Sequence, residues 1–147
     1  MKYLGIDHGQ KRTGFAVCDA AETMAGPLAV VDNSNLLIRK TREFIEEYCI
    51  EAIVVGLPYN MDGSEGPRAK QVRAFVNQLK KEIHRPVFFF DERLSSFSAE
   101  QKLLGMDLTR KKKKKHLDAV AAAEILQGFL DHKNVPPPPD VTEDKIV

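Results

Sequence analysis

The N-terminal segment contains two apolar runs joined by a glycine-containing turn, with an aspartate where the first run ends. Asp7 follows the apolar residues 3–6, and residues 8–14 lead into a second apolar run over 15–18. A carboxylate at the end of a buried strand must be desolvated, paired or solvated through a gap. Glycines allow a sharp turn and the close approach of a bulky ligand. The pattern predicts a β-hairpin in which Asp7 either caps its own turn or binds a divalent metal that holds a phosphate.

The length and composition indicate a globular protein with a layered core. The chain has 147 residues, of which 43% are hydrophobic and 29% are charged, as in ordinary soluble domains. It has no apolar run of about 18 residues and no signal-type N-terminus, so we expect a cytoplasmic protein. We predict one domain over residues 1–135 and a Pro-rich, disordered tail over 136–147. Cys18 and Cys49 are expected to be buried free thiols.

The order of apolar segments and turn signals predicts an α/β fold. Strands are predicted over residues 2–7, 12–19, 25–31, 52–57 and 87–90. Helices are predicted over residues 35–48, 69–83, 97–104 and 116–132. Together they predict a mixed five-stranded sheet with helices on both faces, in which Pro27 places the third strand at an edge. Ligands of such sheets gather at the carboxyl ends of the strands, where Asp7, the loop 58–67 and the pair Asp91–Glu92 all lie.

Two further acidic positions are unusual for their surroundings. Asp118 shares a predicted helix face with alanines, Ile125 and Phe129, where an unpaired charge would cost several kcal/mol. It is therefore paired with a cation (one from the basic run among the candidates), caps a shorter helix, or binds a metal. Asp91 and Glu92 follow a strand, so one carboxylate of the pair points inward, although both could be a plain polar boundary.

The sequence supplies carboxylates from three separate elements, at Asp7, at one of the pair Asp91–Glu92 and at Asp118. Without a His/Cys cluster, such oxygen ligands favour Mg²⁺ or Mn²⁺ over zinc. Two such ions can hold the attacking water and the leaving oxygen of a phosphodiester. The candidate metal ligands are Asp7, Asp91, Glu92 and Asp118, and the candidate catalytic residues are Asp7, Glu92 and Asp118.

The positive charge is concentrated in one short segment. Residues 110–116 carry six of the 22 Lys and Arg residues, and the other 16 face 21 acidic residues, a net of −5. Such a run is expected to be a solvated, mobile loop. It is either only a charged surface or a polyanion contact, because each phosphate contact releases counterions. Arginine side chains bind phosphate oxygens bidentately. The candidate substrate-binding residues are Arg12, Arg68, Arg93, Lys111, Lys112, Lys113, Lys114 and Lys115.

Several motifs in order resemble the YqgF family. They are Gly-Ile-Asp-His-Gly-x-x-Arg-x-Gly-x-Ala at 5–16, Val-Gly-Leu-Pro-x-Asn-Met-Asp-Gly at 55–63, Asp-Glu-Arg-Leu-Ser at 91–95 and Lys-x-x-Asp-Ala-x-Ala-Ala at 115–122. The resemblance covers about residues 2–132. It implies a ribonuclease H-like fold related to the RuvC resolvase, and an acidic site at Asp7, Asp91–Glu92 and Asp118. The lysine run and the tail after Pro136 depart from the family pattern.

The resemblance also implies an activity: metal-dependent cleavage of structured nucleic acid, with maturation of the 5′ end of 16S rRNA as the leading expectation. Pre-rRNA, branched DNA and ribosomal precursor particles are the expected partners, for a monomer or homodimer that binds no membrane. Holliday junction resolution and non-catalytic nucleic-acid binding are the alternatives. A sugar-kinase or actin-like ATPase shares the acidic strand end and glycine hairpin, but such enzymes close two such domains over the nucleotide.

Overall fold

The computed structural model describes residues 1–94 and 110–133, with side chains for 1–94 and 117–133. The predicted helix over 97–104 and the predicted tail lie outside the described residues. The strands are β1 (Tyr3–His8), β2 (Arg12–Cys18), β3 (Ala25–Asp32), β4 (Ala52–Leu57) and β5 (Val87–Asp91). The helices are α1 (Leu37–Glu47), α2 (Pro67–Glu82) and α3 (Arg110–Lys133), with a 3₁₀ turn at Glu92–Leu94.

The five strands form one mixed sheet in the order β3-β2-β1-β4-β5. The hairpin pairs β1–β2 and β2–β3 are antiparallel, whereas β1–β4 and β4–β5 are parallel. The predicted fold class is therefore confirmed, and β3, which contains Pro27, lies at an edge as expected. Because β1, β4 and β5 are parallel, their carboxyl ends meet along one edge of the sheet.

The two faces of the sheet bury separate apolar clusters. On one face, alternate strand residues such as Leu4 and Ile6 pack with α1 and α2. On the other face, Ala16, Val54 and Phe90 pack with α3. This alternation places side chains at successive β1 positions on opposite faces. Among the described residues, no helix is long and apolar enough to cross a membrane.

Two sequence-based predictions are wrong at the local level. The lysine run is not a loop, because α3 begins at Arg110 and contains residues 111–115. Lysine is a good helix former, so a helix anchored by its apolar C-terminal part can extend through the run despite its like charges. Cys49 is exposed, whereas Cys18 is buried and both are free. Cys49 follows α1 with a φ of 54°, the left-handed conformation with which helices commonly end.

Candidate active site

The carboxyl edge of the sheet brings Asp7 and Glu92 together beneath α3. Asp7 lies on the α3 face of β1, because Gly5, two residues earlier, faces Leu126 and Ala122 of α3. Glu92 begins the 3₁₀ turn after β5. The carboxyl groups of Asp7 and Glu92 are joined by a hydrogen bond. Of the pair Asp91–Glu92, the residue that meets Asp7 is therefore Glu92.

The surroundings of Asp7 and Glu92 favour the protonated form of each carboxyl group. Burial raises the pKa of Asp7, and the charge of Asp118 raises it further, against the opposing effects of the Glu92 hydrogen bond and Arg68. Burial and then the charge of Asp7 raise the pKa of Glu92 to about 8. Carboxyl groups with raised pKa values at a strand edge are typical of functional sites.

Asp118 completes the acidic group from α3 and is paired with a cation. Its Oδ2 accepts a hydrogen bond from Nε of Arg12 at 3.0 Å, across 106 residues of sequence. Both side chains are partly exposed, at 22% for Arg12 and 32% for Asp118. Asp118 is the ninth residue of α3, so it does not cap that helix, and its cation comes from β2. The metal alternative is compatible with this pairing, because a bound ion could replace the guanidinium.

Asp91 points into a separate contact with Arg93. Its two carboxylate oxygens accept from Nε of Arg93 at 3.1 and 3.0 Å, and Oδ2 also accepts from Nη2 at 2.6 Å. The Arg93 guanidinium lies 5.2 Å from the centre of the Tyr59 ring. Although burial alone would raise the pKa of Asp91, the hydrogen bonds from Arg93 lower it below its usual value. Asp91 and Arg93 thus clamp the turn that carries Glu92.

Arg68 is the arginine whose charge acts on both Asp7 and Glu92. It is the second residue of α2. Its Nη2 donates to the backbone carbonyl of His8, and its Nη1 donates to the side-chain oxygen of Gln71. Its positive charge lowers the pKa values of both Asp7 and Glu92. The lysines at 111–115 lie on the N-terminal end of α3, about 5–11 Å along the helix axis from Asp118.

Two glycines that sequence reasoning did not single out make room for the acidic group. A Cβ on Gly14 would lie 2.0 Å from the backbone oxygen of Asp118, so this glycine lets α3 approach β2. A Cβ on Gly56 would lie 2.7 Å from Oε1 of Glu92 and 2.5 Å from Cδ1 of Ile125. Both glycines are part of the motifs at 5–16 and 55–63. Only the packing of α3 shows which neighbouring atoms each glycine leaves room for.

These contacts predict different outcomes for two Gly→Ala changes. Gly56→Ala meets only side-chain atoms and no backbone, so we expect a loss of about 1–2 kcal/mol in the free energy of unfolding but displacement of Glu92 from Asp7. Gly14→Ala meets backbone and must move α3, so we expect a loss of about 3 kcal/mol. Urea unfolding measures both, and Gly26→Ala, with no atom within 4 Å of its Cβ, is the control. Equal losses at positions 14 and 56 would contradict the packing described.

The donor set of the site fits a divalent cation. Its ligands are carboxylate oxygens, which Mg²⁺ and Mn²⁺ prefer, and two adjacent carboxyl groups with raised pKa values would both be stabilised by a positive charge. Within residues 1–94 and the described side chains of α3, no three His, Cys, Asp or Glu stand ready as a metal-binding group. Binding would therefore require the proton to leave the Asp7–Glu92 pair and Asp118 to turn from Arg12.

Fold and acidic edge together are those of a ribonuclease H-like protein of the nuclease class. The family described as "RuvX: Holliday junction resolvase" matches residues 1–132. The chain belongs to this family, which confirms the resemblance inferred from the motifs.

Curated relatives and solved structures agree with this assignment. The chain is 42% identical over 142 residues to a Halothermothrix orenii protein named "Putative pre-16S rRNA nuclease", covering 91% of this chain and 97% of that protein. A Moorella thermoacetica protein of the same name is 43% identical over 133 residues, covering 89% and 95%. The fold is similar to Thermus thermophilus RuvC in complex with a Holliday junction, with a TM-score of 0.58 at 19% identity over 93% of this chain and 99% of that one. The fold is also similar to that of the Fowlpox virus resolvase, with a TM-score of 0.53 at 13% identity over 92% of this chain and 100% of that one.

Proposed function

We propose that this protein is a divalent-metal-dependent endonuclease whose substrate is the 5′ precursor region of 16S rRNA. The observation that carries the catalytic part of the proposal is the hydrogen-bonded Asp7–Glu92 pair, with Asp118 beside it, at the carboxyl edge of the sheet. The names of relatives at 42–43% identity support pre-16S rRNA as the substrate. Such processing would take place in the cytoplasm, on free precursor RNA or precursor ribosomal particles.

Asp7, Glu92 and Asp118 are the residues proposed to hold the metal. When bound, Mg²⁺ or Mn²⁺ activates water and stabilises the charge that develops on the phosphodiester. Asp91 was included among the sequence-based candidates, but its bonds with Arg93 favour a different role. In this proposal, Asp91 and Arg93 hold the turn so that Glu92 faces Asp7.

The arginines of the site divide into two groups in this proposal. Arg68 positions the backbone of His8 and supplies positive charge next to Asp7 and Glu92, so it is the arginine best placed to attract a phosphate. Arg12 donates to Asp118, and it would be free to donate to a phosphate oxygen if Asp118 held a metal instead. Arg93 is already bonded to Asp91 and contacts the carbonyl of Asn60 at 3.4 Å, so substrate contact would come at the expense of the turn.

The lysine run is proposed to hold the substrate through its backbone phosphates. Replacing Lys111 to Lys115 with Gln is expected to weaken nucleic-acid binding and to lower the slope of log K against log salt by about 0.7–0.9 for each phosphate that the variant no longer binds. Gln keeps the helix propensity of the run, so the helix itself is retained. Filter binding at several salt concentrations measures the slope. The control replaces Lys80 and Lys81, which lie in the last turn of α2. An unchanged slope in the 111–115 variant would mean that the run is only a charged surface.

Cleavage assays with two substrates test the proposal. Purified protein with Mg²⁺ or Mn²⁺ is expected to cut a pre-16S rRNA fragment at a defined site, and cutting should disappear in chelator. The second candidate substrate is four-way DNA, which the description of the matching family favours. Preferential cutting of the junction would mean that four-way DNA is the substrate. Binding of either nucleic acid without cutting would mean that the protein is a non-catalytic binder.

A further inference from the structure

A cavity next to the acidic site is not used by the proposed chemistry. It has a volume of about 310 Å³ and lies between the carboxyl end of β1, the entry to α1 and one face of α2. It is lined by His8, Asn33, Ser34, Leu37, Ile38, Gln71, Ala74, Phe75 and Gln78. Small-molecule pockets span about 300–1,000 Å³, so this cavity suits one small planar group rather than a duplex.

The chemistry of the lining favours an uncharged, planar ligand. None of the lining residues is Asp, Glu, Lys or Arg, so the cavity offers nothing to a phosphate. The rings of His8 and Phe75 are stacked at 4.5 Å with an interplanar angle of 19°, and Leu37 and Ile38 supply apolar surface. Aromatic surface together with amide groups is how proteins bind unstacked RNA bases.

Polar groups in the cavity remain available for a ligand. In the described part of the chain, Nδ1 of His8 has no hydrogen-bond partner but is itself buried, so the polar groups within reach of a ligand are side-chain amides. Gln71 uses its oxygen to accept from Arg68, which leaves its NH₂ group, and the Gln78 amide also lies on the lining. A base edge presents both donors and acceptors, and these groups can pair with it.

The wall opposite α2 is held in place before any ligand arrives. Oδ1 of Asn33 accepts from the Thr13 hydroxyl at 2.6 Å, and its Nδ2 donates to the carbonyl of Gly9 at 2.8 Å. Thr13 is fully buried, so this bond fixes Asn33 to the hairpin that carries Asp7. A preformed wall lowers the ordering cost of binding.

The cavity and the acidic site share the end of β1. His8 follows Asp7 directly, and the two side chains lie on opposite faces of the sheet with Cα atoms about 3.8 Å apart. Arg68 bonds the His8 carbonyl and Gln71, and its charge also acts on Asp7 and Glu92. One residue at the end of β1 therefore joins the acidic site to the cavity, which is the spacing that neighbouring nucleotides of one strand would have to bridge.

We propose that this cavity binds one unpaired base of the RNA strand and so sets the position of cleavage. The inference rests on the proposed nuclease function for the identity of the strand. It predicts that the protein requires an unpaired nucleotide at a fixed distance from the cut, because a base in a duplex cannot enter.

A cavity-filling variant with a matched control provides the binding test. Ala74→Leu adds side-chain carbons to the cavity, whereas Asn77→Leu places the same residue at an exposed position of the same helix that does not line the cavity. Both keep good helix propensity. Binding of a short single-stranded RNA is measured in chelator, against the same RNA with abasic ribonucleotides placed one position at a time. Removal of one stacked base weakens binding by about 5- to 150-fold.

We expect one abasic position to weaken binding by the wild type and by Asn77→Leu. Ala74→Leu should weaken binding of the intact RNA by about tenfold and should show no further loss at that abasic position, since both changes remove one interaction. Equal binding by all three proteins, no sensitive abasic position, additive losses, or no RNA binding would each overturn the inference. Because this test needs no cleavage, base-specific binding by a protein that cuts nothing would refute only the proposed function. Cleavage without a cavity effect would refute only the inference.

Discussion

Asp7→Asn is expected to abolish hydrolysis while the fold remains intact. Asp7 is the partly buried carboxylate that interacts with both Glu92 and Asp118, and an amide at this position supplies no negative charge to hold a metal. Removing a charged group on which transition-state stabilisation depends lowers the rate of hydrolysis by about a thousandfold or more. The measurement is the single-turnover rate on whichever nucleic acid the wild type cuts, with Mg²⁺ and Mn²⁺.

The same change should stabilise the metal-free protein. Asn removes a carboxyl group whose pKa is raised by burial and by Asp118, and therefore removes the free-energy cost of ionising it in the folded state. We expect the melting temperature in chelator at pH 8 to rise by about 3 °C or more. Asp32→Asn, at the exposed end of β3, is the matched control and should change neither rate nor stability. Hydrolysis by pure Asp7→Asn protein would refute the assignment of the site.

The stability of the metal-free protein is expected to fall as pH rises, and Glu92→Gln should remove most of this fall. The pKa of Glu92 is about 8 in the folded protein against 4.5 as its ordinary value. Between these values the folded state binds more protons than the unfolded state, so stability decreases with pH. The contribution is fully present below about pH 4.5 and lost as pH passes about 8. Because the glutamine side chain stays neutral at every pH, the stability of Glu92→Gln should not show this loss.

Asp91→Asn is a control with the opposite sign. The pKa of Asp91 is lowered in the folded protein by Arg93, so its ionised form contributes stability above its ordinary pKa of 3.8, which is lost at lower pH. Asp91→Asn should therefore be destabilising at neutral pH, whereas Glu92→Gln should not. Melting temperatures in chelator from pH 4 to 9 measure all three proteins. A flat wild-type profile would contradict the raised pKa of Glu92.

Metal addition supplies a second readout of the same pair. Since a metal ion must displace the proton, Mn²⁺ should raise the melting temperature of the wild type more at pH 8 than at pH 6. Glu92→Gln, which lacks one of the proposed ligands, should show a small rise that does not depend on pH. A wild-type rise that is the same at both pH values would mean that the metal binds away from Asp7 and Glu92.

Local patterns in the sequence were sufficient for the sheet and for the acidic positions. The apolar runs ending at Asp7, Leu57 and Asp91 predict strands because strand formation depends on neighbouring residues, and the parallel arrangement of β1, β4 and β5 then brings their ends to one edge. The anomaly of Asp118 was visible because a charge on an apolar helix face needs a partner. The family followed from the same motifs.

The partners of these residues were decided by the tertiary structure alone. Whether Asp91 or Glu92 meets Asp7 depends on the turn after β5, and Asp118 pairs with Arg12 across 106 residues of sequence. The extension of α3 through the lysine run depends on apolar contacts farther along the helix. The close approaches at Gly14 and Gly56, and the cavity beside His8, depend on how helices pack on both faces of the sheet. Spacing along the chain identifies which residues are unusual, whereas pairing and proton retention depend on distances and burial that exist only once distant segments have packed.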